Sequence, residues 1–391
     1  MAIYLDHAAT TPVDPRVAAA MEPFWAYNFG NPASFHSYGL AAKKALEAAR
    51  GSVAKIIGAQ PSEIVFTGGG TESVNLALKG VARANKERGR HIITSKIEHH
   101  AVLHSCEALE KEGFEVTYLD VDKYGLVDPA DVERAIRPDT ILISIMYANN
   151  EIGTIEPIAE IGAIARKRDI PFHTDACQAG GACELDVRRL NVDLMTLNGS
   201  KIYGPKGVGM LYIHKGVLIE PIIHGGGQEA GLRSGTENVP GIIGFAKALE
   251  LAQASRQKEC ARLIKLRDRL VEGILKSIPD SFLNGHPTKR LPNNVNVTIL
   301  NIEGESLVLQ LDRAGIAAST GSACSSERLE PSHVLLAIGL PKEAAHGSLR
   351  LTLGHSNSDA DVDYVLKTLP PIVERLRAIS PVRIKKSEVG R

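Results

Sequence analysis

Lys201 stands in Asn198-Gly199-Ser200-Lys201, just past the apolar run Leu194-Met195-Thr196-Leu197. Asp175 ends another such run, Phe172-His173-Thr174-Asp175, 26 residues earlier. A lysine and a carboxylate at two strand ends suit pyridoxal 5′-phosphate (PLP). That cofactor needs an amine for its Schiff base and an acidic partner for its pyridine nitrogen. It also needs a phosphate cradle and a group to stack on its ring. Thr67-Gly68-Gly69-Gly70-Thr71-Glu72-Ser73 follows the run Ile64-Val65-Phe66 and leads into a helix-like segment. Glycine lets backbone approach a ligand closely, and free amides at a helix start favour anions. Gly70 and Thr71, with Ser200, are therefore the expected phosphate contacts. No Gly-Lys-Ser/Thr follows, so this is not a Walker loop. His99, in Ile97-Glu98-His99-His100, is the expected ring partner. Each signal alone has a bland reading, and the cofactor expectation rests on the four together.

A second group surrounds Cys324, in Ala318-Ser319-Thr320-Gly321-Ser322-Ala323-Cys324-Ser325-Ser326-Glu327. Side chains this small anchor poorly in a core, so the segment reads as a loop carrying an exposed, reactive thiol. Cys106, Cys177, Cys183 and Cys260 sit in helix-like or strand-end contexts and are assigned to packing, Cys177 as part of the site wall. Five dispersed cysteines without a CxxC pair argue against a disulfide framework or a resident metal site. Arg350, in Ser348-Leu349-Arg350-Leu351-Thr352, offers a planar fork for a substrate carboxylate. Amides in Tyr147-Ala148-Asn149-Asn150-Glu151 follow a very hydrophobic strand, a poor place for them without a binding job. His224-Gly225-Gly226-Gly227-Gln228 with Arg233-Ser234-Gly235-Thr236 is a second glycine-rich anion candidate.

The elements that must position these residues follow from pattern. Short runs at Ile64-Phe66, His91-Thr94, Val116-Leu119, Ile141-Met146, Pro171-Thr174, Leu194-Leu197 and Val208-Ile213 alternate with helix-like segments. Several are apolar throughout, as in a parallel sheet covered on both faces. The fold class is therefore α/β, with a large domain built on a mostly parallel seven-stranded sheet. Leu46, Val53, Ile56 and Ile57 share a helix face, with Gly58 as its C-cap. A long charged helix from Phe245 to about Ile274 leads to a smaller α+β domain containing the strand Asn294-Ile299. Expected boundaries are 15–257 for the large domain, and 1–14 with 258–391 for the small one. The basic tail Arg383-Ile384-Lys385-Lys386 reads as a solvated, frayed end. Forty-five basic and 45 acidic residues balance, which argues against nucleic-acid or membrane capture and for a small neutral or zwitterionic substrate. The start of the chain lacks a basic-plus-apolar leader, so a cytoplasmic enzyme is expected.

In order along the chain, these motifs resemble the NifS/IscS-like cysteine desulfurases, class-V members of the fold-type-I PLP-dependent transferases. The resemblance is carried by Tyr4-Leu5-Asp6-His7-Ala8-Ala9-Thr10-Thr11, Gly30-Asn31-Pro32-Ala33-Ser34, Gly70-Thr71-Glu72-Ser73 and Glu98-His99. It continues through Asn149-Asn150-Glu151-Ile152-Gly153, Asp175-Ala176-Cys177-Gln178, Lys201-Ile202-Tyr203-Gly204-Pro205-Lys206-Gly207 and Arg233-Ser234-Gly235-Thr236. Gly321-Ser322-Ala323-Cys324 looks like the group I signature.

The resemblance implies that sulfur is taken from L-cysteine as a persulfide on Cys324, giving L-alanine. Lys201 would carry the Schiff base, Asp175 would pair the pyridinium, and His99 would stack on the ring and help in proton transfer. It adds Gln178 on the phenolic oxygen, Asn150 on the cofactor, and Asn31 with Arg350 on the substrate carboxylate. Thr236 would reach the phosphate of the other subunit of a homodimer. An iron–sulfur scaffold or a tRNA-thiolation enzyme would take the sulfur, and Cys324 could touch a transient cluster. Ser200 departs from the family, which usually has histidine there, and that bears on cofactor affinity. A selenocysteine lyase, an aminotransferase-like relative and a non-catalytic scaffold or sulfur-carrier partner are the rival readings; Cys324 and Lys201 argue against them.

Overall fold

The computed structural model describes residues 2–320, 331–381 and 383–389, so Cys324 and its neighbours lie outside the described residues. The first strand, β1 (Ile3–Tyr4), belongs to the smaller unit taken up below. Next come β2 (Ile64–Thr67), β3 (His91–Ser95), β4 (Glu115–Leu119), β5 (Thr140–Ser144), β6 (Phe172–Asp175), β7 (Leu194–Asn198) and β8 (Gly209–Ile213). They form one seven-stranded sheet in the order β2-β8-β7-β6-β5-β3-β4. Only β8 runs against its neighbours, so β2 through β7 all end at the same edge.

Both faces of this sheet are buried. Ile93, Ile143, Met195 and Met210 face one core, and Ile92, Leu142, Leu194 and Leu211, each one position away, face the other. That alternation of buried on buried is why the strands read as continuous apolar runs. At the edge where β2 to β7 end, the strands run into the polar segments that carry Thr71, His99, Asn150, Asp175 and Lys201.

The expected bridge is a helix over Val239–Ser277, six residues longer at its start than the charge pattern implied. Asn238 caps it, its Oδ1 accepting from the Gly241 amide at 3.1 Å. Pro240 and Gly241 look like breakers in sequence, yet proline is at home in a helix's first turn. Phe245 and Leu249 pack in the first core, whereas Leu263, Leu266, Leu270 and Ile274 pack in a second one. Each such side chain stabilises its own core by about 1.5–3 kcal/mol, so the helix joins the two units firmly.

The smaller unit holds β9 (Ser281–Leu283), β10 (Asn294–Ile299), β11 (Ile316–Ala317) and β12 (Ser348–Thr352). The antiparallel sheet β12-β10-β9 packs against the helix Asp359–Ile379 through Val297, Leu349 and Val365. β1 pairs in parallel with β11, Ile3 opposite Ile316, which brings the first residues of the chain beside this unit.

The C-terminal tail does not fray as expected. The Ile384 amide donates to Asn301 Oδ1 at 2.7 Å, Lys386 Nζ donates to Ser281 O at 3.0 Å, and Val389 is buried. Its basic residues had hidden Ile384 and Val389, which seat it on an apolar cluster. Among the described residues no helix is long and apolar enough to cross a membrane.

Candidate active site

β6 ends on Asp175, which is 7% exposed and accepts the Cys177 amide on Oδ1 at 3.0 Å. Beneath it the His173 ring spans three strands, bonding Ser144 Oγ at 2.8 Å and Thr196 Oγ1 at 3.0 Å. Burial pushes its pKa down to about 4, so this ring is a neutral strut. At the end of β7, Asn198 Oδ1 takes the Ser200 amide at 3.3 Å and turns the chain into Gly199-Ser200-Lys201.

The N-terminal segment straps this turn. The Thr11 amide donates to Ser200 O at 2.9 Å, Lys201 Nζ donates to Ala9 O, and Gln178 Nε2 donates to Ala8 O at 3.0 Å. Tyr203, two residues past the lysine, has φ +62°, a conformation costly for a bulky residue. It is held there by stacking on His355, with ring centroids 3.7 Å apart, and by the His355 amide, which donates to Tyr203 Oη at 2.8 Å.

Past β3, His99 caps the helix His100–Lys111, and the Ala101 amide donates to its Nδ1 at 3.1 Å. Burial is the main cause that lowers the His99 pKa. With Nδ1 occupied by a donor, the neutral ring carries its proton on Nε2. Glu98 is wholly buried; its Oε1 accepts from Ser95 Oγ at 2.7 Å and from the Met146 amide at 2.8 Å, while Oε2 has no partner. Burial lifts its pKa to about 8, so it is a neutral acid tying β3 to the end of β5. Asn149 is structural: its Oδ1 takes the Glu151 and Ile152 amides and its Nδ2 donates to Ile97 O. That leaves Asn150 as the amide facing the site.

Gly70, Thr71, His99, Asn150, Asp175, Gln178, Lys201 and Arg350 line one cavity of about 330 Å³, within the size range of small-molecule pockets. Ser200 lines an adjoining recess that shares Gly70, Thr71 and Asn198 with it. Asn31 and Thr236 line neither. Both are exposed, and the Asn31 side chain accepts the Ala33 amide at 2.9 Å. The segment 224–236 is folded on itself, Gln228 Oε1 taking the Gly235 amide at 2.8 Å. Sequence reasoning quoted Glu98 and His100 beside His99 but gave neither a role, and it passed over His333, which lines the cavity with His100. Nothing in their spacing marks them, because their relevance comes from burial and from contacts across the fold.

Cys106 and Cys183 are buried, and Cys177 lines the cavity wall. Burial pushes the Cys183 thiol up to about 12 and raises Cys106, Cys177 and Cys260 as well. None of these four is a ready thiolate at neutral pH. Among the described residues no cluster of His, Cys, Asp and Glu could hold a metal ion.

The chemistry of the donors fits PLP. A lysine amine and a buried carboxylate share the cavity, and a hydroxyl and a glycine turn face the adjoining recess. Gly69, at φ +149°, adopts a backbone shape other residues avoid, and the space where a Cβ would sit is open. At Gly70 a Cβ would lie 2.8 Å from Cys177 Sγ, so a larger residue there would have to push that side chain aside. Lys201 would hold the aldehyde carbon, Asp175 the ring nitrogen, and Gly70, Thr71 and Ser200 the phosphate.

The class-V aminotransferase family model matches residues 3–365. The chain belongs to that family. It is 59% identical over 385 residues to the cysteine desulfurase IscS of Methanosarcina thermophila, covering 98% of this chain and 95% of that one. It is 48% identical to a human cysteine desulfurase, covering 97% of this chain and 83% of that one. A solved NifS-like protein superposes with TM-score 0.91 at 42% identity, covering 96% of this chain and all of that one. A structure of SspA in complex with cysteine superposes with TM-score 0.80 at 41% identity, covering 90% of this chain and 98% of that one. Within the family the chain thus stands with the cysteine desulfurases, which are PLP-dependent enzymes.

Proposed function

We propose that the 330 Å³ cavity removes sulfur from L-cysteine, releases L-alanine and leaves the sulfur on Cys324 as a persulfide. The observation that carries this reading is the convergence of Lys201, Asp175, His99 and Arg350 on one cavity. A cysteine-bound relative of the same fold supports the substrate. Bound there, the cofactor supplies an electron sink for the substrate carbons. The chain's own groups do the rest. Asp175 would keep a proton on the ring nitrogen, and Lys201 Nζ would take the proton from the substrate α-carbon. His99 would stack on the ring, and its neutral form carries the proton on Nε2. Gln178 would serve the phenolic oxygen and Asn150 the cofactor's edge. Arg350 and Asn31 hold the substrate carboxylate. The sulfur nucleophile is Cys324, a role supported by the raised pKa values of the other four thiols.

The enzyme works as a cytoplasmic homodimer. Thr236, exposed on a self-braced loop, completes the phosphate site of the second subunit. Ser200 would donate to that phosphate through its hydroxyl. The persulfide passes to a sulfur acceptor such as an iron–sulfur scaffold or a tRNA-thiolation enzyme. The test is Cys324→Ala in the holoenzyme, given cysteine and a reductant. Sulfide release should stop while the yellow cofactor absorbance persists and still bleaches with borohydride. Undiminished sulfide release in that variant would overturn the persulfide step.

A further inference from the structure

Two units of the fold share the 330 Å³ cavity. Lys201 comes from the end of β7 in the larger unit, and Arg350 comes from β12 in the smaller one. A ligand held at both ends, by its amine at Lys201 and its carboxylate at Arg350, is sensitive to how the units are set against each other. On the Asn150 side the seam is bonded directly. Arg350 Nη1 donates to Asn150 O at 3.0 Å, and the side-chain amides of Asn294 and Asn296 donate to Glu151 O at 3.0 and 3.1 Å. On the Lys201 side it is crossed by the N-terminal strap and by a stacked pair of rings, Tyr203 and His355. Tyr203 stands two residues past Lys201, and His355 five past Arg350.

We infer that Tyr203 and His355 are positioning residues, whose stack fixes Lys201 relative to Arg350 and so holds the α-carbon and carboxylate of cysteine in register with the site. The inference rests on the desulfurase reading and adds a positioning pair to it. The ring centroids are 3.7 Å apart and the planes 7° from parallel. Both ends of this contact are anchored. At the Lys201 end, the Tyr203 amide donates to Thr11 Oγ1 at 2.8 Å, and the Tyr203 carbonyl accepts the Asp14 amide at 3.0 Å. At the Arg350 end, Arg262 donates to the carbonyls of Gly354 and Asn357 at 2.9 and 2.5 Å. The Gly354 amide donates to Asn357 Oδ1 at 2.7 Å. A Cβ at Gly354 would run into the Tyr203 hydroxyl and the His7 ring, so the glycine lets the tyrosine come this close.

Three observations favour a positioning role over plain packing. Tyr203 keeps φ +62°, and such conformations persist where surrounding contacts impose them and gather at functional sites. The His355 side chain is 41% exposed, so its ring adds little to a core. Nor does its carboxylate neighbour account for where the ring lies. Glu259 is 4.0 Å from His355 Nε2 and already pairs with Arg262 at 2.6 Å. What the ring does touch face to face is Tyr203. Closely packed groups transmit displacement, whereas the strap links the units through a run of backbone.

The test uses holoenzyme in a single turnover at saturating cysteine, counting alanine formed per site, so that delivery to an acceptor plays no part. His355→Ala removes the ring from an exposed position and keeps the backbone amide that Tyr203 Oη accepts. Misplacing a reacting group by about 1 Å can cost about 100-fold, so the alanine-forming rate should fall about 10-fold or more. His355→Phe, which keeps a flat ring and loses the imidazole, should recover to within about twofold of the parent. The second readout is the rate at which the cofactor absorbance changes on adding 2-aminoethanethiol, which has the amine and thiol of cysteine but no carboxylate. That rate should be the same in His355→Ala and the parent, because only a ligand held at both ends feels the register. A His355→Ala rate within twofold of the parent with cysteine would overturn the inference. So would a His355→Phe rate as low as that of His355→Ala. Equal slowing with cysteine and 2-aminoethanethiol would also overturn it, by placing the effect on Lys201 alone. Failure of the parent enzyme to form alanine would instead sink the desulfurase reading.

Discussion

The Arg350 guanidinium, 3% exposed, lies 2.8 Å from Asp6 Oδ1 and also donates to the Asn150 carbonyl at 3.0 Å. The proposed carboxylate clamp is thus engaged by the chain itself. A substrate carboxylate has to share or displace the Asp6 contact, because two carboxylates at one fork repel. Asp6→Asn keeps a hydrogen-bond acceptor and removes the competing charge. KM for cysteine should fall by a factor of about five, roughly 1 kcal/mol, with kcat little changed. A raised KM would mean that Asp6 aims Arg350 rather than competing for it.

Glu98 gives the pH dependence of stability a direction. Its carboxyl ionises near 4.5 in the unfolded chain and at about 8 in the folded one, with burial the main cause. A raised folded pKa adds stability that is fully present below the unfolded pKa and is lost as pH climbs through the folded one. The protein should therefore weaken between pH 4.5 and about 8. Glu156, whose buried carboxyl shifts the same way, adds to this. Glu98→Gln keeps the Oε1 acceptor for Ser95 and Met146 and cannot ionise. Melting temperatures at pH 5 and pH 8 should then differ less than in the parent. An unchanged difference would remove Glu98 as the cause.

How much of this was legible follows from which physics is local. The strands announced themselves because sheets buried on both faces need apolar residues in succession, and the site residues fell at their ends because β2 to β7 finish at one edge. Lys201, Asp175, His99, Gly70 and Thr71 could be placed together on that ground. The Asn238 cap was masked by Pro240 and Gly241, whose usual meaning is a break. The docked tail was masked by its charges. Glu98 was named in a motif, but its neutral state and the place of His333 in the cavity wall were hidden for a deeper reason. A neutral glutamic acid is a product of burial, and the contact of His333 Nε2 with the Glu98 carbonyl joins residues 235 apart, which no local pattern carries.

The self-braced loop of residues 224–236 rests on a comparably non-local pair. Arg50 grips Glu229 with both ends of its fork, at 2.8 and 2.7 Å, and donates to Ile64 O at 2.7 Å. The Phe66 amide adds a bond to Glu229 Oε2 at 2.8 Å. Both side chains are nearly buried, at 10% and 2% exposure. Glu229 and the next residue, Ala230, are held at φ +48° and +56°. Such positions cost about 1–3 kcal/mol each and persist only where surrounding contacts impose them. Arg50→Met would leave Glu229 buried, charged and without its bidentate partner, and should destabilise the protein by about 3–5 kcal/mol. The double variant Arg50→Met with Glu229→Met should regain most of that loss, since it removes the stranded charge. Urea midpoints of the two variants and the parent measure this. The loop also carries Thr236, so dialysis should strip PLP faster from Arg50→Met than from the parent if that residue completes a phosphate site. Equal retention of the cofactor would separate the brace from the cofactor site.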